Sequence, residues 1–264
     1  MMDYIVLDME WNQPWPGSPS SQKQLPVAIR GEIIQIGAVR VTEAGQVADE
    51  FQIMVRPKVY RHLNRRVSKL TGIKETRLRE EGVPFPEAVE RFRGWCGEDI
   101  TFLTWGFDDI GILRENLRLY GLDESWTGRW YNAQMIFNAQ TDGSTSQKAL
   151  KTAMEICGIE ASRPAHDALG DAYHTALICA RLDLENMTQP CGTMKTASMG
   201  QSCPAASSGR SSGICRIRPR LWPPCPGRKI SARSAGGRCW APVGSHSRAT
   251  GTWIWLPARS TGSS

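Results

Sequence analysis

The chain has 264 residues, 41% of them hydrophobic, and a formal net charge of +6 at pH 7. That allows one large domain or two small ones, with enough apolar content for a packed core. No apolar run reaches the roughly 18 residues of a membrane helix, and no basic segment precedes the short apolar run of "MMDYIVLDMEW"; a membrane span and a signal peptide are not expected, and the expected address is the cytoplasm.

Taken in chain order, residues 3–9 read as a strand, followed by a Pro/Ser/Gln-rich loop, "NQPWPGSPSSQKQLP". "EIIQIGAVRV" (32–41) and "EFQIMVRP" (50–57) flank the turn-like "TEAGQ" and predict a hairpin. "LNRRVSKLTGI" (63–73) and "PFPEAVERFRGWCG" (84–97) predict helices. In the second, Pro86 suits a helix start, and Ala88, Val89, Phe92 and Trp95 recur at helical spacing. "DITFLTWG" (99–106) predicts a fourth strand, and "DDIGILRENLRLYG" a helix ended by Gly121. "WYNAQMIF" (130–137) offers a fifth strand. "SQKALKTAMEICG" and "HDALGDAYHTALICARL" predict two further helices. Three strands in succession, then alternating helix and strand, predict an α/β domain with a mixed sheet.

After about Gln189 the pattern stops. Residues 190–264 hold nine Arg and two Lys but no Asp or Glu. Setting those eleven cations aside leaves 21 basic against 26 acidic residues in 1–189, a net of −5. The basic balance therefore belongs to the tail, and any grip on nucleic acid by the body must be local. The expected organisation is a folded domain over 1–189 and a disordered, low-complexity basic tail over 190–264. The tail composition also fits a GC-rich gene read out of frame; the rival reading is a basic arm that grips phosphates. Cys96, Cys157 and Cys179 in the body and five more in the tail form no C-x-x-C pair, so structural zinc is poorly supported and free thiols are expected.

Acids stand at several places where core is expected. Asp8 and Glu10 lie two apart on the first strand and share a face, while Met9 points the other way. The bland explanation is an edge strand with both acids in water. "YIVLDM" is too apolar for that, which favours a divalent cation between them. Asp108 and Asp109 begin a helix. Asp109 shares its inward stripe with Ile112, Leu113, Leu117 and Tyr120, whereas Asp108 suits an N-cap; the common explanation for such a pair is decoration of a helix start. His166 precedes the last helix, Asp167 is a natural cap, and Asp171 lies one turn in; His174 has no assigned role. Residues 56–79 hold nine cations and His62 against the single acid Glu75, around the apolar "LTGI". Such a run is usually a solvated face.

In order, D-x-E on a first strand, W-G-x-x-D after a later strand and H-x-x-x-x-D on a last helix resemble the DEDDh family of 3′–5′ exonucleases. "DYIVLDMEWNQ" and "LTGI" are most similar to the branch that trims small and histone RNAs, with the bacterial sporulation-inhibitor proteins. The resemblance covers residues 3 to about 185. It implies a ribonuclease-H-like five-stranded mixed sheet flanked by helices, with the first strand central. It implies that Asp8, Glu10, Asp109 and Asp171 hold two Mg²⁺ or Mn²⁺ ions and that His166 is the general base. Met9 and the LTGI residues Leu70, Thr71, Gly72 and Ile73 would contact the terminal nucleotide. The loop after Asn12 departs from the family pattern.

The chemistry is coherent with this. Hard cations prefer carboxylate oxygens, and two of them about 3.5–4 Å apart stabilise attacking and leaving oxygens together. Imidazole titrates near neutrality and can take a proton from water. The expected partner is the 3′ end of single-stranded RNA or DNA. A DNA proofreading or repair exonuclease of the same fold is the second reading, since sequence does not separate RNA from DNA here. A non-catalytic nucleic-acid-binding module is the third; a missing acid would favour it, and none is missing.

Overall fold

The structure, a computed structural model, describes residues 3–184. The basic segment expected over 190–264 lies outside the described residues.

The strands β1 (Tyr4–Asn12), β2 (Glu32–Val41), β3 (Val47–Met54), β4 (Thr101–Thr104) and β5 (Trp130–Asn132) form one sheet in the order β3-β2-β1-β4-β5. The β1–β2 and β2–β3 pairs are antiparallel; β1–β4 and β4–β5 are parallel. This is the expected mixed five-stranded sheet with the first strand central. The helices are α1 (Arg65–Thr71), α2 (Glu75–Glu80), α3 (Phe85–Cys96), α4 (Asp108–Leu119), α5 (Ala133–Gln140), α6 (Leu150–Cys157) and α7 (Ala168–Cys179). Among the described residues no helix is long and apolar enough to cross a membrane, and Cys96, Cys157 and Cys179 are buried free thiols.

β1 is covered on both faces, which is why its sequence is a nearly continuous apolar run. Ile5, Leu7 and Met9 enter a core with Phe85 and Phe92 of α3 and Leu113 and Leu117 of α4. Tyr4 and Val6 enter a second core with Ala172, Ala176 and Cys179 of α7. The period of two continues past Val6, so Asp8 and Glu10 fall on the α7 side of the sheet. A register shift between Glu10 and Trp11 marks a bulge where the strand leaves the core.

Gly37 on β2 is the cross-strand partner of Asp8. A Cβ there would lie 2.2 Å from the Ala168 carbonyl carbon and 2.2 Å from the Leu169 nitrogen. Only glycine lets the first turn of α7 rest directly on the β2 backbone opposite Asp8. Gln35, next along on the same side, clamps that turn. Its amide donates to Asp167 Oδ1 (2.7 Å) and its oxygen accepts from Ala168 N (3.1 Å). Asp167 caps the helix as expected, accepting from Gly170 N at 3.1 Å.

Several expectations shift. The hairpin's second strand runs over Val47–Met54 rather than 50–57. "WYNAQMIF" gives only three strand residues, because the Asn132 side chain accepts from Gln134 N (3.0 Å) and Met135 N (3.4 Å) and starts α5 there. α1 stops at Thr71, since Gly72 adopts φ 72° and closes the helix. α2 was not foreseen at all.

Candidate active site

Three elements far apart in sequence deliver the acids. β1 supplies Asp8 and Glu10, the start of α4 supplies Asp109, and the first turn of α7 supplies Asp171. With Met9, Leu70, Thr71, Trp105 and His166 they line one cleft of about 370 Å³. Oxygens of Glu10 and Asp171 and a ring nitrogen of His166 all lie within 4.8 Å of one another. Asp109 Oδ1 accepts the Met9 N–H at 3.1 Å, which ties α4 to the strand between the two β1 acids. His166 is the one non-glycine residue with positive φ (59°) among those described. Its backbone N–H donates to Asp171 Oδ2 at 2.9 Å, so the carboxylate holds the turn that presents the exposed imidazole.

Burial raises the pKa of all four acids, and neighbouring carboxylates raise Asp8 and Glu10 further. Asp8 is held well above the usual carboxylate range, first by burial and then by Asp109, Asp171 and Glu10. Glu10 is pushed up to about 8 by burial, then by Asp171 and Asp109. Asp109 rises to about 7 through burial, opposed by the Met9 N–H. Burial also raises Asp171, against the His166 N–H. Every charge that shifts Asp8 and Glu10 is another carboxylate. Such a set cannot ionise together in a partly dry cleft without a cation among its oxygens. Oxygen-only acids at this density suit a hard divalent ion.

Asp108 is no N-cap. Phe107 occupies the cap position without a side-chain bond, and Asp108 is the first helical residue, exposed and paired with Arg30 Nη1 at 2.6 Å. That guanidinium also holds Glu115 at 2.7 Å. Asp108→Asn should therefore keep its activity and lower stability by at most about 1 kcal/mol, the range of surface ion pairs. Thermal melting and a cleavage assay check this; Asp108 also lines the cleft beside Asp109, and a dead Asp108→Asn would give it a role there beyond its ion pair.

The LTGI element divides. Leu70 and Thr71 reach the cleft. Gly72 ends α1, and Ile73 is buried in a separate core with Ile34, Met54 and Leu78. His174 is buried, and its Nε2 accepts from Ser162 N at 3.1 Å, a structural role. The loop after Asn12 touches the cleft through Gln13. Trp11 and Trp105 of the quoted motifs, given no role from the sequence, stand on the cleft wall, and Gly37 and Gln35 beneath it were missed. For Gly37 a glycine inside a strand was the available signal.

Residues 5–179 match the family model RNase_T, Exonuclease. The chain belongs to the RNase_T exonuclease family. Exonucleases of this family use divalent metal ions, which fits the carboxylate set above. This RNase_T chain is 26% identical over 208 residues to ERI1 exoribonuclease 2 of Homo sapiens, covering 69% of this chain and 28% of that protein. The Mus musculus protein of the same name is 26% identical over 176 residues, covering 57% and 25%. The chain thus spans little more than a quarter of the length of these curated relatives. Among solved structures, the nuclease domain of 3′hExo, a DEDDh family member bound to rAMP, has 22% identity and a TM-score of 0.58 over 68% of this chain and 90% of that one. E. coli exonuclease I in complex with a dA16 oligonucleotide has 17% identity and a TM-score of 0.51 over 68% and 40%. These share the RNase_T exonuclease fold, the ribonuclease-H-like mixed sheet.

Proposed function

We propose that this chain is a 3′–5′ exonuclease that hydrolyses the terminal phosphodiester of single-stranded RNA and releases nucleoside 5′-monophosphates. The observation that carries this is the convergence of Asp8, Glu10, Asp109 and Asp171 with His166 in one cleft at the end of the central strand. The names of the relatives, exoribonucleases and an enzyme of a histone mRNA stem-loop, support RNA. The oligodeoxynucleotide complexes of exonuclease I keep DNA as the second reading.

Asp8, Glu10, Asp109 and Asp171 would hold two ions, Mg²⁺ or Mn²⁺, which when bound supply Lewis-acid stabilisation of the attacking and leaving oxygens. The free imidazole nitrogen of His166 takes the proton of the attacking water. The backbone bond from His166 to Asp171 supports this by holding the turn that carries the ring. Leu70 and Thr71 provide the wall against which the last nucleotide is oriented, and Trp105 closes the cleft beside Gly106.

Digestion of 5′-labelled single-stranded RNA and DNA tests this reading. Ladders of shortening 5′ fragments should appear with Mg²⁺ or Mn²⁺, fastest on RNA, and vanish with chelator. Internal cuts, or cleavage that survives chelation, would overturn it. The segment 190–264 is proposed to be dispensable. A protein ending at residue 189 should keep its turnover and lose only a salt-sensitive, non-specific part of its RNA affinity; a fall in turnover would assign the tail to the enzyme.

A further inference from the structure

A second hollow, of about 690 Å³, lies outside the cleft, with Arg56, Lys58, Arg61 and Arg79 around an apolar floor that includes Phe85 and Tyr120. We propose that this groove is an exosite for the phosphate backbone of a single-stranded nucleic acid whose 3′ end occupies the cleft. The proposal rests on the exonuclease reading above.

Charge supports it first. Residues 1–189 carry a net of −5, yet nine cations fall within residues 56–79. Among the described residues only Arg77 of the nine has an ion-pair partner, Glu81 at 2.9 Å. The single acid of that run, Glu75, lines the same groove beside His62, accepting Leu63 N at 2.8 Å and lying 3.7 Å from His62. Arg56, Lys58, Arg61 and Arg79 are exposed. Unneutralised cations crowded on an acidic body repel one another, and an anion relieves that.

The groove is also joined to the cleft. Asn12 stands two residues past Glu10 on β1. Its amide donates to the Tyr60 carbonyl (2.8 Å) and the His62 carbonyl (3.0 Å), and its oxygen accepts Asn64 N (2.9 Å). α1 follows at once, and its Val67, Leu70 and Thr71 line the cleft. The loop that lines the groove thus leads directly into the helix that lines the cleft. The groove is pre-shaped as well. Buried Glu32 accepts the backbone N–H groups of Lys58 (2.6 Å), Val59 (2.9 Å) and Tyr60 (2.7 Å) and the Tyr120 hydroxyl (3.1 Å). The cation-bearing loop is held before any ligand arrives, which lowers the ordering cost of binding.

The occupant follows from shape and chemistry. Arginine forks match phosphate oxygens, and a half-buried Tyr120 offers a face to an unpaired base. A concave hollow with an apolar wall suits an unstacked strand; a duplex keeps its bases paired inside and presents backbone and groove edges.

The test compares the full chain with the double variant Arg56→Ala/Arg79→Ala on a single-stranded RNA of about 20 nucleotides and on a trinucleotide too short to leave the cleft. Losing two phosphate contacts should make the salt slope of log affinity shallower by about 1.4, at about 0.7 per contact on single strands. The wild-type advantage in KM on the long RNA should therefore shrink about sevenfold between roughly 50 and 200 mM salt. The trinucleotide should be cut alike by both proteins, and equal melting temperatures should show an intact fold. An unchanged KM and slope on the long RNA, or an equal loss on both substrates, would overturn the exosite. So would a loss confined to a stem-loop substrate, which would assign the groove to duplex. Failure of the wild type to shorten either substrate would instead overturn the exonuclease reading.

Discussion

Asp8→Asn should abolish cleavage while the metal-free protein becomes more stable at pH 8. The activity follows from position: Asp8 lies among Asp109, Asp171 and Glu10, and its loss would remove one of the carboxylates proposed to hold the divalent ions. The stability follows from proton linkage. Free carboxyls titrate near 4, whereas Glu10 is pushed up to about 8 and Asp109 to about 7 in the folded protein. Between roughly pH 4 and 8 the folded state therefore binds more protons than the unfolded chain, and metal-free stability falls as pH rises through that window. Asn at position 8 takes away a carboxyl whose ionised form burial and the neighbouring acids disfavour. The gain in melting temperature should be largest at pH 8 and shrink toward pH 5, where the folded carboxyls are protonated. Added divalent ion should raise the wild-type melting temperature and barely move the variant's. Asp109→Asn should be as inactive. Full cleavage by a well-folded Asp8→Asn would sink the metal assignment.

His166→Ala should slow cleavage at neutral pH by about 10²–10⁴, the usual range for a lost general base. The ring is exposed, so few contacts go with it. The backbone is the confounder, because position 166 holds φ 59° and alanine tolerates that poorly. His166→Asn controls for it, since asparagine accepts the left-handed conformation yet cannot act as the base. Both variants should be slow alike and regain part of their rate at higher pH, where hydroxide is more abundant. A His166→Asn enzyme matching wild type at pH 7 would mean that another group takes the proton.

Much of the fold was legible because its elements carry clean periods. β1 and β2 read as strands from continuous apolar runs, and α3 and α4 from apolar stripes that meet the sheet. α2 was not legible: of its six residues only Leu78 is buried, too few for any period. α5 misled for the opposite reason. Residues 133–138 are all buried, so no stripe separates a helix from a strand. The acids could be picked out, since carboxylates on a buried strand demand a reason. What the sequence concealed was how they meet. Gly37 and Gln35 carry no charge and belong to no motif, yet they seat the turn that bears Asp171. Asp108 was misjudged because its partner, Arg30, comes from a distant loop.

The spread of the four acids over the chain has a consequence during synthesis. A ribosome releases Asp8 and Glu10 first and Asp171 last, with α7 still to close over β1. Until residues near 179 emerge, the growing chain lacks the helix that covers Tyr4 and Val6 and supplies Asp171. A nascent chain that has not yet extruded α7 lacks Asp171 and the turn carrying His166, so the proposed site is incomplete in it. Completion of the proposed site thus waits on the docking of α7 onto β1, the final element among the described residues.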